Sequence, residues 1–313
     1  MSKRTLSLIL LVTLGLLWGT GYSIARFVVT HGVPAASYSF WESLGPAVLL
    51  SIAAIALRRP HHARTNPVTH KHFYFVAGLT GIAIPNTCMY FAAGHLPAGL
   101  LAVIVNTVPV IAWPMALAAG MEHFSLPRLG GLMLAMAGLM LILAPKAGLS
   151  TALPWTWVLL ALLTPLSFAW CTIHTARARP AGTHPVQVAA GMLTVATLLL
   201  LPLVLVTGEL YLPHWPLRFV DALILLEILL SSFGYIIFFE LLRIAGPVYY
   251  SLVDTTVALT GLAWGYFLFN ETIHSLTGWG IFLILSGVLL VTRHQSRRVL
   301  HHHPASSPKP LSD

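Results

Sequence analysis

Five ionisable residues stand inside long apolar stretches of this 313-residue chain: Arg26, Glu42, Glu227, Glu240 and Asp254. A charge near the middle of a bilayer costs about 2.5–3.5 kcal/mol on insertion scales, so such residues are expected to pair, to lose their charge or to work. Arg26 precedes the end of the first apolar run by a few residues, and Glu42 follows the start of the second, with a short turn between the runs. Two readings follow. Either they form a structural ion pair in which each charge offsets the other's desolvation, or they clamp a zwitterion, with Arg26 on its carboxylate and Glu42 on its amine. Glu227 and Asp254 fall about one turn from the middle of their runs. A carboxyl taken out of water favours its neutral form, which makes both candidates for proton coupling, against the plainer role of a hydrogen-bonded packing group. Glu240 has Arg243 three residues on, the spacing of a surface pair on a helix.

Aromatic and amide side chains complete the chemistry. Trp18, Tyr22, Tyr90 and Tyr235 lie deep in their runs and need partners for their N–H and O–H groups. Trp41 and Tyr249 lie near run ends, where an interfacial belt is the ordinary role. Pro85-Asn86 and Asn106-Thr107 with Pro109 interrupt the third and fourth runs. Broken helices are tolerated at membrane depth where they face protein or a wet cavity, so Asn86 and Asn106 are expected to point inward. The expected substrate-lining set is Trp18, Tyr22, Arg26, Glu42, Asn86, Tyr90, Asn106 and Tyr235. Glu122 and Glu271 each close an apolar run just before the next one. There a carboxylate can accept the free N–H groups that open a helix, a structural role preferred over gating.

Other chemistry is not indicated. No HExxH or GxSxG pattern appears, so no catalytic residue is assigned and the chain is not expected to be an enzyme. The histidines His61, His62, His70, His72 and His301 to His303 lack a fixed ligand spacing; no metal and no cofactor are expected. Cys88 and Cys171 both sit inside apolar runs, which argues against a disulfide framework.

The elements that must carry these residues follow from composition. Hydrophobic residues make up 57% of the chain, charged residues 8%, and the mean hydropathy is +0.82, whereas a soluble domain is about a quarter charged. Ten apolar runs, near 6–29, 37–57, 73–93, 98–119, 126–144, 155–175, 186–207, 220–242, 248–269 and 275–292, have about the length a helix needs to cross a hydrocarbon core. This predicts an all-α polytopic membrane protein. The first run is too long for a signal-peptide core and nine more follow, so it is expected to stay. With ten spans, fourteen of the seventeen Lys and Arg residues fall on the side of the two termini, against Lys146 and Arg218 opposite. The positive-inside rule then makes both termini cytoplasmic, in a bacterial inner membrane. The net charge of +8 orients the chain and calls for no nucleic acid. The expected partners are the lipid bilayer and a small-molecule substrate, with protons a candidate coupling ion and the state open between monomer and homodimer. The Pro/Ser-rich tail, 297–313, is expected to be disordered.

The chain also repeats itself. An offset of 149 positions carries Glu122 onto Glu271, Gly131 onto Gly280, Gly138 onto Gly287, and Thr107-Val108 onto Thr256-Val257. Each copy holds five runs, 1–147 and 148–296. An odd number of spans per copy forces the copies to cross the membrane in opposite senses, as inverted repeats. Arg128 on the inner side becomes Thr277 on the outer side, the charge loss that inversion requires.

These residues resemble the EamA family of the drug/metabolite transporter superfamily. The likeness rests on "LLWGTGYSIARFVV" at 16–29, "GIAIPNTCMYFAAGHLPAGLLAVIVNTVPVIAWP" at 81–114, and the two glutamate-containing repeats. It implies ten helices around a central cavity formed by helices 1–4 and 6–9, with helices 5 and 10 peripheral, and export of small metabolites by alternating access. One departure is Glu42, where relatives often have arginine after the Phe-Trp pair of the second span. The expected cargo is an amino acid or a related amphipathic, partly aromatic compound. The alternative is proton-coupled efflux of cationic drugs.

Overall fold

The computed structural model describes residues 3–56, 67–143, 155–178, 183, 185–271 and 278–290. All regular structure there is helical: α1 (Lys3–Thr30), α2 (Ala35–Ala56), α3 (Pro67–Gly78), α4 (Ile84–Ala93), α5 (Ala98–Val105), α6 (Val108–Ala118), α7 (Leu126–Leu143), α8 (Trp155–Ala178), α9 (Pro185–Thr207), α10 (Phe219–Phe269) and α11 (Gly278–Leu290). Seven stretches are long and apolar enough to cross a bilayer, and Leu126–Leu141, Thr256–Phe269 and Gly278–Leu290 are shorter apolar helices. Their outward faces carry exposed Leu8, Ile52, Met133, Leu159, Leu198 and Phe282. Large apolar surface of this kind suits lipid rather than water. The chain is a multi-pass membrane protein.

Two interruptions fall where proline and asparagine predict them. A π-helical turn, Leu79–Ala83, joins α3 to α4 just before Pro85, and Asn106-Thr107 separates α5 from α6. Such turns expose backbone carbonyls that lipid cannot satisfy. One face of α8 supplies the donors: Thr164 Oγ1 donates to the Pro85 carbonyl (2.9 Å) and Ser167 Oγ to the Thr80 carbonyl (2.7 Å).

The chain reverses between two limbs of α10, the expected runs 220–242 and 248–269, although the backbone is helical throughout. A straight 51-residue helix would be about 76 Å long. Both limbs lie along α1, however. Glu227 and Gly234 reach Gly21 and Trp18, and Leu241 packs on Leu11 and Leu14. Beyond the turn, Val253 and Val257 join that same cluster, Thr256 meets Gly15 and Thr260 meets Gly19. The limbs therefore run antiparallel, and the chain turns between Leu241 and Val253. Gly15 and Gly19 let the second limb lie against the α1 backbone, since a Cβ at either would strike a threonine side chain. We use "first-loop end" for the end of the bundle where α1 passes to α2.

At the periphery α7 crosses α11 through glycine. A Cβ on Gly138 would strike the Gly280 carbonyl and the Ile284 backbone, and one on Gly287 would strike the Gly131 carbonyl and the Ala135 backbone. These contacts exchange under the 149-residue offset: Gly138 and Gly287 swap places, as do Gly280 with Gly131 and Ile284 with Ala135. Small residues at such a crossing allow backbone approach that larger ones forbid. Replacing Gly287 with leucine is expected to lower stability by roughly 1–3 kcal/mol, seen as a lower melting temperature of the purified protein. Gly130→Ala, where the added methyl meets open space, is expected to leave the melt unchanged; equal melts for both variants count against this crossing.

Candidate functional site

Helical spacing of four gathers the polar residues of the interior. Tyr38 and Glu42 share one face of α2, Asn86 and Tyr90 one face of α4, and Glu227, Ser231 and Tyr235 one face of the first α10 limb. These three faces meet beside α1 about 10 Å along their helices from the first-loop end. Asn86 Nδ2 donates to Glu42 Oε2 (2.7 Å), and the Tyr90 hydroxyl also hydrogen-bonds the Glu42 carboxylate. Ser231 Oγ lies 3.0 Å from Glu42 Oε1 and 3.2 Å from Glu227 Oε1. Both carboxyl side chains are buried, each 5% exposed, and no described cation forms an ion pair with either. Glu227 Oε2 and the Tyr38 hydroxyl are buried without a hydrogen-bond partner. Gly21 of α1 makes room here, because a Cβ there would sit 2.7 Å from Glu227 Oε1.

Aromatic rings wall this acidic pair. Tyr38 meets Tyr90 edge-on at 4.7 Å, and Trp18 meets Tyr235 edge-on at 6.1 Å while lying 5.8 Å from Phe238. Tyr22 packs where three core clusters adjoin. Trp18, Tyr22, Glu42, Asn86, Tyr90 and Tyr235 are thus in one neighbourhood, with Glu227 among them. Asn106 is buried at the α5–α6 break and is not a partner of either acid. The side chain of Asp254 lies outside the described residues, as does that of Arg243, the expected partner of Glu240.

Arg26 and Glu42 do not meet. Arg26 is about 6 Å below the end of α1 and Glu42 about 10 Å below the start of α2, and each finds partners at its own depth. The Arg26 guanidinium donates to the Leu96 carbonyl, lies 3.5 Å from Glu271 Oε1, and stands over the Phe269 ring at 5.4 Å. Glu271 also accepts the Ala98 N–H (2.9 Å) and the Gly99 N–H (3.3 Å). It therefore caps α5, in the other half of the chain; residues 272–277, which follow it in sequence, lie outside the described residues. Glu122 pairs with buried Arg128 at 3.0 Å. Among the described contacts, Glu271 accepts helix-opening N–H groups and ties the two halves together, whereas Glu122 is held by an arginine of its own half.

Residues 209–218 form a strap across the first-loop end. Ser37 Oγ donates to the Glu209 carbonyl and accepts the Tyr211 N–H (2.8 Å), and Trp41 Nε1 donates to the Tyr211 carbonyl (2.8 Å). Tyr211 in turn donates its hydroxyl to Asp221 Oδ1 (2.6 Å), while Asp221 Oδ2 receives the backbone N–H groups of His214 and Arg218. Burial, then the bond to Asp221, pushes the Tyr211 hydroxyl up to about 12, so this donation persists throughout the neutral range. Sequence reasoning missed Tyr38, Ser231 and this strap. The first two stand one turn from Glu42 and Glu227, a signal open to detection.

A helical membrane bundle with a buried polar cluster at the junction of several helices is an arrangement that transporters use. Residues 5–144 and 155–293 each match the EamA-like transporter family. The chain belongs to that family. It is 22% identical over 288 residues to YvbV, an uncharacterized transporter of Bacillus subtilis (strain 168), with 92% of each chain covered. A solved crystal structure of a protein shares the fold at a TM-score of 0.58 and 18% identity, over 95% of this chain and 99% of the other.

Removing the interhalf cap has a defined cost. Glu271→Ala leaves two amide N–H groups and Arg26 without their acceptor and is expected to destabilise by roughly 1–3 kcal/mol. Arg26→Gln, which leaves both amide bonds in place, is expected to cost less than half as much. Thermal unfolding of both variants in the same lipid checks the ranking, and the reverse order rejects the cap as the dominant contact.

Proposed function

We propose that this protein exports small organic metabolites, amino acids or related amphipathic and partly aromatic compounds, and that Glu42 and Glu227 hold the amine of the cargo. One observation carries this reading: two buried carboxyls with no cation paired to them among the described residues, one with an unpartnered oxygen, lie among aromatic rings. A primary ammonium offers three N–H donors to such acceptors. Trp18, Tyr90 and Tyr235 would stack on or flank the apolar part of the cargo, while Asn86 holds Glu42 in place. Arg26, committed to Glu271 and Leu96, is left out of the clamp expected for a zwitterion; the reading thereby narrows from carboxylate recognition to amine recognition. Asn106 and Tyr22 border the route rather than the acids.

The transport cycle proposed is alternating access between two inverted five-helix halves, 1–147 and 148–296. Support comes from the reciprocal α7–α11 contacts, which swap under the repeat offset as a two-fold axis in the membrane plane requires. The first-loop end is tied by the strap and by Glu271, so release there requires those bonds to open. The Lys and Arg distribution supports an orientation with both termini in the cytoplasm of a bacterial cell and the first-loop end outside.

Counterflow in vesicles containing the full chain tests the reading, with labelled phenylalanine and 2-phenylethylamine as probes. Exchange of the amine is expected for the wild type, and Glu42→Gln is expected to lower its rate at least about tenfold, the worth of some 1.4 kcal/mol. Equal rates in the variant and the wild type would remove Glu42 from the site.

A further inference from the structure

We infer that Glu42, Ser231 and Glu227 form a site for a single exchangeable proton, held on Glu227 when the chamber is empty and released when a primary ammonium binds between the two acids. The inference rests on the reading of this chamber as the transport site. It follows from a count of hydrogens. Ser231 approaches both carboxyls at hydrogen-bonding distance, 3.0 Å to Glu42 and 3.2 Å to Glu227. A hydroxyl has one hydrogen to donate and two lone pairs to receive. It can satisfy one carboxylate as donor, and the second contact then needs a hydrogen from the other carboxyl.

The surroundings decide which acid supplies it. Glu42 receives donors from Asn86 at 2.7 Å, from Tyr90 and from Ser231. Bonds of that kind stabilise an ionised carboxylate. Glu227 has Ser231 alone, and its Oε2 is buried with no donor at all. An ionised group in that position would leave a charged oxygen bare in a medium that cannot solvate it. The arrangement that satisfies every contact runs one way: the Glu227 O–H donates to Ser231 Oγ, and the Ser231 O–H donates to Glu42 Oε1. Among the described residues, the other titratable side chains that face the pair are Tyr38 on α2, Tyr90 on α4 and Tyr235 on α10, with Cys171 of α8 beyond Tyr235. Each of these is a neutral group, and Gly21 is what α1 presents at contact distance from Glu227.

Ammonium binding reverses the balance. An R–NH3+ group between the acids donates to Glu42 Oε1 and to the free Glu227 oxygen, and the proton of Glu227 leaves to water. The exchange is neutral in charge: one monocation enters as one proton departs, and no bond of the cargo is made or broken. The same geometry sets a class limit. A quaternary ammonium has no N–H with which to replace the departing hydrogen, so it is excluded from this exchange, whereas primary amines are accepted.

Infrared difference spectroscopy of the full chain in lipid nanodiscs near neutral pH tests the proton without any ligand. A protonated-carboxyl band is expected in the wild type that is missing from Glu227→Gln; identical spectra overturn the inference. Addition of 2-phenylethylamine is expected to bleach that band and to release one proton per amine bound, read with a pH indicator in weak buffer. Glu227→Gln is expected to release no proton when the amine is added, and tetraethylammonium to leave the band untouched in the wild type. Amine binding to the wild type without proton release overturns the exchange and spares the transport-site reading. A Glu227 band that 2-phenylethylamine neither alters nor binds beside removes the transport-site reading and the exchange with it.

Discussion

Hydrocarbon donates no hydrogen bonds, and this single constraint organises the interior of the bundle. Every polar group placed at depth must be met by another part of the protein. α8 places Thr164 and Ser167 against the carbonyls exposed by the π-helical turn and Pro85. Glu271 meets the N–H groups that open α5. Some buried atoms nevertheless have no partner among the described residues, including Glu227 Oε2, the Tyr38 hydroxyl, Ser23 Oγ, Ser43 Oγ and Trp113 Nε1. A buried group without a partner is costly to keep, and each of these atoms carries that cost.

Apolar packing arranges the scaffold around that site. α1 is the central rod, with glycine where α10 must come close and tryptophan and tyrosine where the chamber needs walls. α2 lies along α9, and both carry alanine-rich faces into a shared core cluster. α7 and α11 touch backbone to backbone at the edge. Burial of the acids is thus a result of helix phase: the same one-turn spacing that stacks Tyr38 on Glu42 turns both away from lipid.

Much of this was open to sequence reasoning, for physical reasons that differ from residue to residue. The apolar runs declare helices because nothing but a helix can carry twenty such residues through lipid. Pro85 and Asn106 announce breaks because each disturbs the backbone ladder. Glu42, Asn86, Tyr90, Glu227 and Tyr235 are legible as inward because lipid would reject them. The partner of Arg26 was not legible. Which of two acids a long side chain reaches depends on differences of a few ångströms in depth and on helix phase, and Glu271 is distant from Arg26 in sequence. The reversal within α10 was legible, since Gly246-Pro247 separates the runs 220–242 and 248–269; that helix continues across the expected loop was not.

The central place of α1 bears on how the chain comes to be made. Its inner face is completed by residues 227 to 260, roughly 200 positions later in the sequence. At ribosomal speeds of about 5–20 residues per second, the earliest helix waits on the order of 10–40 seconds for the neighbours that cover it. Throughout that interval its glycine-lined groove faces lipid or the insertion machinery, and α2 to α9 must assemble around a helix whose own partner has yet to be synthesised.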